Sequence, residues 1–223
     1  MAKPDPPPVE PFSGIILAGG FGTRLGCDKA DAQAAGRSLL HWTADALAAA
    51  TDDIVVVARP GQSLPPPDGM TWRVVTDTRA DAGPLAGIEA GLADVQHELA
   101  VVVATDMPLL APALVRAIAH ACRDVDVAMP LRDGRPEPLL AAYRRHCQSI
   151  VSALLDTGER RPRRLLDQAR SRRIDAQELR PHDPDLASFR NVNTPADLAA
   201  VARLLVPPHP PALTISDPIG GSR

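Results

Sequence analysis

The stretch Gly14-Ile15-Ile16-Leu17-Ala18-Gly19-Gly20-Phe21-Gly22-Thr23-Arg24-Leu25-Gly26-Cys27-Asp28-Lys29 decides the reading of the fold. The apolar run over 14–18 predicts a buried strand. It passes directly into a loop carrying Gly19, Gly20, Gly22 and Gly26. Glycines let a backbone turn tightly and present its N–H groups to an anion. Arg24 and Lys29 add side-chain charge to the same loop, a combination suited to a triphosphate. Two better-known phosphate loops do not fit. A P-loop needs GxxxxGK[ST], whereas Gly26 is followed by Cys27-Asp28-Lys29-Ala30. A dinucleotide loop needs GxGxxG and an acid closing the second strand. Here Gly26 falls one residue late, and that strand runs out into Ala58-Arg59-Pro60.

Downstream, apolar runs alternate with helical patterns. Strands are expected over 53–58, 73–75, 99–104, 125–129 and 138–143, with Asp133-Gly134 as a turn before the last. Helices are expected over 39–50, 84–95, 113–122, 145–156, 162–170 and 195–205. This alternation predicts an α/β layered domain with a mostly parallel sheet, whose ligands bind beyond the carboxyl ends of the strands. The 223 residues, 45% hydrophobic and 23% charged, suit one globular domain and exclude wholesale disorder. Ten of the 24 prolines fall within 1–11 or 207–218. The folded body is therefore expected at 12–206, between disordered proline-rich tails at 1–11 and 207–223. No apolar run approaches the ~20 residues of a membrane span, and the first eleven residues offer no apolar segment for a secretory signal. Cys27, Cys122 and Cys147 lack CxxC spacing. They argue against a disulfide framework or a zinc site and suit a reducing cytoplasm.

Lysine and arginine together number 24, yet the only lysines are Lys3, in the proline-rich tail, and Lys29. A composition that writes arginine for surface charge keeps one lysine in the glycine loop, where a compact ammonium is needed. Asp106 closes the strongest expected strand and faces the same edge. One acid beside bound phosphates is the usual way to hold Mg²⁺, which keeps several waters. Asp77, after the third strand, falls on that edge as well. The net charge of −3 gives no overall pull toward nucleic acid. Arg160, Arg161, Arg163, Arg164, Arg170, Arg172 and Arg173 crowd one segment, but only six aromatics exist in the chain. A stacking platform for nucleic acid is therefore missing. The crowding reads either as a solvated helical face or as an anion site centred on Arg161.

These residues resemble the LAGGxGxRxGxDK signature of the molybdenum cofactor guanylyltransferase (MobA) family of nucleotidyltransferases. The likeness continues through Asp77, Gly83-Pro84-Leu85-Ala86-Gly87, Asp106-Met107-Pro108, Gly158-Glu159-Arg160-Arg161 and Asn191-Val192-Asn193-Thr194-Pro195. It spans roughly residues 13–205. The glycine signature is shared with other nucleotidyltransferases, whereas GERR followed by NVNTP narrows the resemblance to molybdopterin nucleotide transfer.

The resemblance implies a Rossmann-like nucleotidyltransferase fold, a mixed, mostly parallel sheet flanked by helices. It implies transfer of GMP from GTP to Mo-molybdopterin, with a cytidylyl- or sugar-phosphate nucleotidyltransferase as the alternative on the same scaffold. Leu17, Ala18, Gly19 and Gly20 are then expected at the nucleotide, with Asp77 helping to hold it. Lys29 is expected at phosphate and Asp106 at Mg²⁺. Arg24 joins Lys29 and Asp106 as a catalytic candidate, and Arg161, Asn191 and Asn193 are assigned to the pterin. A molybdopterin-donating protein and acceptor molybdoenzymes are implied as partners, with no nucleic acid and no membrane. Val57 stands where some relatives carry a nucleotide-contacting Asn, so any contact there is expected from its backbone.

Overall fold

In this computed structural model the described residues are 10–205, except Phe21, Thr23, Ala80 and Asp81. Most of both proline-rich tails lies outside them. Glu10 is within them and pairs with Arg144 at 2.7 Å. In chain order the elements are β1 (Ser13–Leu17), β2 (Gln33–Ala34), β3 (Arg37–Ser38), α1 (Leu39–Ala48), β4 (Asp53–Ala58), β5 (Arg73–Thr76), α2 (Pro84–Asp94), β6 (Leu99–Ala104) and α3 (Pro112–Ala121). There follow β7 (Val127–Arg132), β8 (Arg135–Pro136), β9 (Leu140–Arg144), α4 (Cys147–Asp156), α5 (Leu165–Gln168), β10 (Ser171–Ile174), α6 (Ala176–Leu179) and α7 (Pro195–Ala202). The main sheet runs β10-β7-β9-β6-β1-β4-β5, with β8 paired to β7. Along that order only β9 opposes its neighbours, pairing antiparallel with both β6 and β7. The expected mixed, mostly parallel sheet is therefore present.

The central strands are apolar throughout because both faces are covered. Ile16, Val56, Val101 and Val103 pack with Leu40 and Leu47 of α1 and Leu114 and Ile118 of α3. The alternating set, Ile15, Val55, Val57 and Val102, packs with Ile88 and Leu92 of α2 and Val151 and Leu155 of α4. Full burial of each such side chain is worth roughly 1.5–3 kcal/mol. Gly91 lets α2 approach β1: a Cβ there would lie 2.6 Å from Ile15 Cγ2. At the amino edge, Asp53 accepts from Ser13 Oγ at 2.5 Å, Arg73 Nη1 at 2.5 Å and the Gln96 N–H at 3.0 Å. These bonds tie β1, β4, β5 and the α2–β6 connection together.

Three features depart from the sequence expectation. The helix expected over 162–170 is a 3₁₀ turn at Pro162–Arg164 followed by the short α5, and the chain then enters strand β10. Ser171-Arg172-Arg173-Ile174 offers no apolar alternation, so its pairing with β7 supplies the strand. The strand expected from 138 begins at Leu140, because Leu140 N donates back to Glu137 O and closes a turn. Between the glycine loop and α1 lies a hairpin, β2–β3, turned by Ala35 and Gly36 at φ 48° and 80°. Positive φ at both positions gives the primed turn that suits a two-residue hairpin. Among the described residues no helix is long and apolar enough to cross a membrane.

Candidate active site

Asp106 lies in the turn that ends β6 and is 7% exposed. Its turn is pinned from two sides. Thr105 N donates to Leu17 O at 3.2 Å, and Val192 N donates to Asp106 O at 2.9 Å. The second bond brings the 191–193 segment, 85 residues onward, against the carboxyl end of β6. Asp106 Oδ2 then pairs with Lys29 Nζ at 2.6 Å, and Asp106 Oδ1 accepts from Asn191 Nδ2 at 3.3 Å. Lys29 also donates to Asn193 Oδ1 at 2.7 Å. Asn191 and Asn193 thus face one way, as their i, i+2 spacing in an extended segment requires. Four of the residues singled out from sequence form one cluster beyond the carboxyl ends of β1 and β6.

The glycine loop is held over this edge by Asp28. Its carboxylate accepts from Arg59 Nη2 at 2.6 Å and from Gln62 Nε2 at 3.0 Å. The Gln62 amide also donates to Ala18 O, and Arg59 N donates to Gln62 Oε1. Gly22 fixes the loop more tightly: a Cβ there would sit 2.2 Å from Cys27 O. Neither Arg59 nor Gln62 stood out in the sequence, since a polar pair after a strand has no distinctive spacing. Val57 is 2% exposed, within the core, and its carbonyl accepts from Ala18 N at 2.8 Å. That bond ties the start of the glycine loop to the end of β4. Arg24 is exposed beside the loop.

Asp77 follows β5 on the same edge and accepts from Arg79 N at 2.9 Å. Burial raises its carboxyl above the usual range, against the Arg79 N–H that lowers it. Three strand spacings of about 4.8 Å separate β5 from β6, so about 14 Å lies between their axes. Arg79 ties this end to two helices, pairing with Glu89 of α2 and Asp156 of α4 at 2.7 Å each. Asp81 lies outside the described residues.

Arg161 is not in the Asp106 cluster. Its guanidinium is held by Glu159 through Nε–Oε1 and Nη2–Oε2 bonds of 2.8 Å each. The Arg161 side chain and the backbone N–H groups of Arg161 and Arg160 hold the Glu159 carboxyl far below its usual range. Three of the six neighbouring arginines are also in ion pairs: Arg164 with Glu159 and Asp167, Arg170 with Asp126, and Arg172 with Glu178. They do not form one helical face, since Arg172 and Arg173 lie on β10.

Glu137 is the acid that sequence reading missed. It directly follows β8 and precedes Pro138 ahead of β9, and its N–H donates to Pro130 O at 2.8 Å. Burial raises its carboxyl, Arg132 opposes that, and Asp106 adds to it through like charge. An isolated Glu beside a proline carries no sequence signal. Among the described residues no group of three or more His, Cys, Asp or Glu is placed to hold a metal ion. A larger cavity, about 530 Å³, lies at the amino edge around Phe12, Thr51 and Arg116 and contains none of these residues.

A profile described as the MobA-like NTP transferase domain matches residues 14–174, most of the chain. The chain belongs to the MobA-like NTP transferase family. A relative from Desulfosudis oleivorans, named molybdenum cofactor guanylyltransferase, is 36% identical over 194 residues, 85% of this chain and 94% of its own. Among solved structures, molybdopterin-guanine dinucleotide biosynthesis protein A from Archaeoglobus fulgidus has a TM-score of 0.72 at 25% identity, covering 86% of this chain and 98% of that one. The fold extends to 2-C-methyl-D-erythritol 4-phosphate cytidylyltransferase from Thermus thermophilus, with a TM-score of 0.66 at 20% identity, covering 86% and 99%. A Mycobacterium tuberculosis protein solved as a manganese complex has a TM-score of 0.55 at 17% identity, covering 74% and 88%.

Proposed function

We propose that the chain transfers GMP from GTP to Mo-molybdopterin, giving Mo-molybdopterin guanine dinucleotide and diphosphate. The single observation that carries this reading is the Lys29–Asp106–Asn191–Asn193 cluster, in which the glycine-loop lysine, the strand-end acid and the NVNTP asparagines meet. Nucleotidyl transfer is an in-line displacement at the α-phosphate, so it needs alignment and charge neutralisation more than covalent chemistry. The nucleoside lies along the carboxyl edge from Asp77, across Leu17, Ala18, Gly19 and Gly20, with its phosphates at Lys29 and Asp106. Lys29 exchanges its carboxylate partner for a phosphate oxygen, and Arg24 adds charge from the outer side of the loop. Asp106 would hold Mg²⁺, which supplies charge neutralisation at the phosphates when bound. The acceptor phosphate is already ionised at neutral pH, so its attack requires no strong general base, and Asn191 and Asn193 orient it from the far side of Asp106. Arg161 sits bidentate on Glu159, a geometry that also suits a phosphate, and serves the pterin at the periphery of the site.

The reaction takes place in the cytoplasm, where a molybdopterin-donating protein supplies the substrate and molybdoenzymes accept the product. Purified protein with GTP, Mg²⁺ and Mo-molybdopterin should release diphosphate together with a product of the dinucleotide mass. Release with CTP and not GTP would move the reading to cytidylyl transfer.

A further inference from the structure

On the β7 and β10 side of the Asp106 cluster the structure contains a cavity of about 280 Å³. Ligand pockets typically hold about 300–1,000 Å³, so this one suits a compact ring system. Arg132 at the end of β7, Arg180 after α6, and Arg190 line it; Asp133 is its one carboxylate. Leu131, Leu186 and Phe189 add an apolar surface. The cavity joins the cluster at two points. Arg132 Nη1 donates to Asn191 Oδ1 at 3.2 Å, and Arg190 immediately precedes Asn191.

One wall is built with care. Asp183, 6% exposed, accepts from the Ala187 N–H at 3.0 Å and the Ser188 N–H at 2.8 Å. The Leu186 N–H donates to Asp183 O at 2.9 Å. These bonds hold Leu186 at φ 49°, ψ 39°, the left-handed region that a branched side chain rarely adopts. Ser188 Oγ accepts from Ala111 N at 2.9 Å and fastens the wall to the start of α3. Strain of this kind persists where the surroundings over-determine it, and it concentrates at ligand clamps. Guanidinium groups bind anions through paired N–H donors and stack on flat rings. The Arg190 side chain has no hydrogen bond or ion pair among the described residues, whereas Arg161 is doubly bonded to Glu159.

We propose that this cavity seats the flat, heteroaromatic, anionic body of the acceptor, while the acceptor phosphate reaches Asn191 and Asn193. The proposal rests on the nucleotidyl-transfer reading and deepens it, making Arg190 a residue for acceptor specificity.

The test measures molybdopterin binding to the full-length protein by pterin fluorescence, alongside GTP affinity and the KM for Mo-molybdopterin in transfer. Arg190→Glu should weaken pterin binding at least tenfold and Arg190→Lys by less, with GTP affinity within twofold of wild type and an unchanged melting temperature. The Arg180→Ala/Arg190→Ala pair should behave as Arg190→Glu does; should the pair fail to fold, Arg190→Glu decides alone. Pterin affinity within twofold of wild type in Arg190→Glu overturns the proposal. A wild type that binds pterin but transfers no nucleotide, with Arg190→Glu impaired in binding, would sink the reaction and keep the cavity. A wild type that transfers GMP, with Arg190→Glu binding pterin normally, would sink the cavity and keep the reaction. A wild type that binds no pterin overturns both.

Discussion

Lys29 shows what a single residue does here that its commoner substitute cannot. Its ammonium lies 2.6 Å from Asp106 Oδ2 and 2.7 Å from Asn193 Oδ1, in a loop where 17% of its side chain is exposed. A point charge fits between two acceptors that a planar fork would have to push apart. Lys29→Ala removes a charge-assisted contact worth about 1.5–3 kcal/mol, so GTP binding measured by calorimetry should weaken tenfold or more. Lys29→Arg should restore less than half of that free energy; full restoration would show that charge alone suffices. Gly22 sets the same loop by having no side chain. In Gly22→Ala the new Cβ collides with Cys27 O, so the phosphate loop must open. GTP affinity should fall at least tenfold while the melting temperature moves by only a few degrees, because Gly22 supports the loop and not the sheet. Both residues were legible in the sequence, Lys29 by its isolation among arginines and Gly22 by its place in the signature. Arg59, Gln62 and Glu137 were not, since each takes its meaning from a contact that only the fold creates.

At the scale of elements, β1, β4 and β6 were readable because burial on both faces demands unbroken β-branched runs. The strand β10 was not, because Arg172 and Arg173 contradict that pattern and only pairing with β7 makes them a strand. The hairpin β2–β3 was equally hidden: its turn uses Ala35 at positive φ instead of the Asn or Gly that signals such a turn. The amino edge of the sheet depends on Asp53. Burial alone would raise its carboxyl, but bonds from Arg73, Ser13 and the Gln96 N–H outweigh that and hold it below the usual range. A carboxyl depressed in the folded state stabilises the fold above its unfolded pKa of about 3.9, and loses that contribution as pH falls through the folded value. Asp53→Asn should therefore cost about 2–3 kcal/mol at pH 7 in urea unfolding. The gap to wild type should close as the pH is lowered below about 4. A gap independent of pH would assign the loss to packing and not to charge.

Across the whole molecule, the site is assembled from ends that are far apart in sequence. The glycine loop follows the first strand, the acid follows the sixth, and the asparagines come from the segment before the last helix. The sequence motifs suggest a division of labour, with nucleotide and metal early in the chain and acceptor late. The fold joins those halves instead: Val192 N on Asp106 O brings the late segment onto the early one, and Asn193 bonds directly to Lys29. Arg161, bonded to Glu159 and outside that cluster, is the late residue for which a pure acceptor role remains geometrically simple. The central claim is that Asn193 acts on both substrates because it holds the phosphate lysine. Calorimetric titration of GTP into Asn193→Ala, with Arg161→Ala as the comparison, tests it most directly. GTP should bind Asn193→Ala about tenfold more weakly than wild type, the loss of one hydrogen bond to a charged group, and should bind Arg161→Ala unchanged. Wild-type GTP affinity in Asn193→Ala would contradict it and return the asparagines to the acceptor alone.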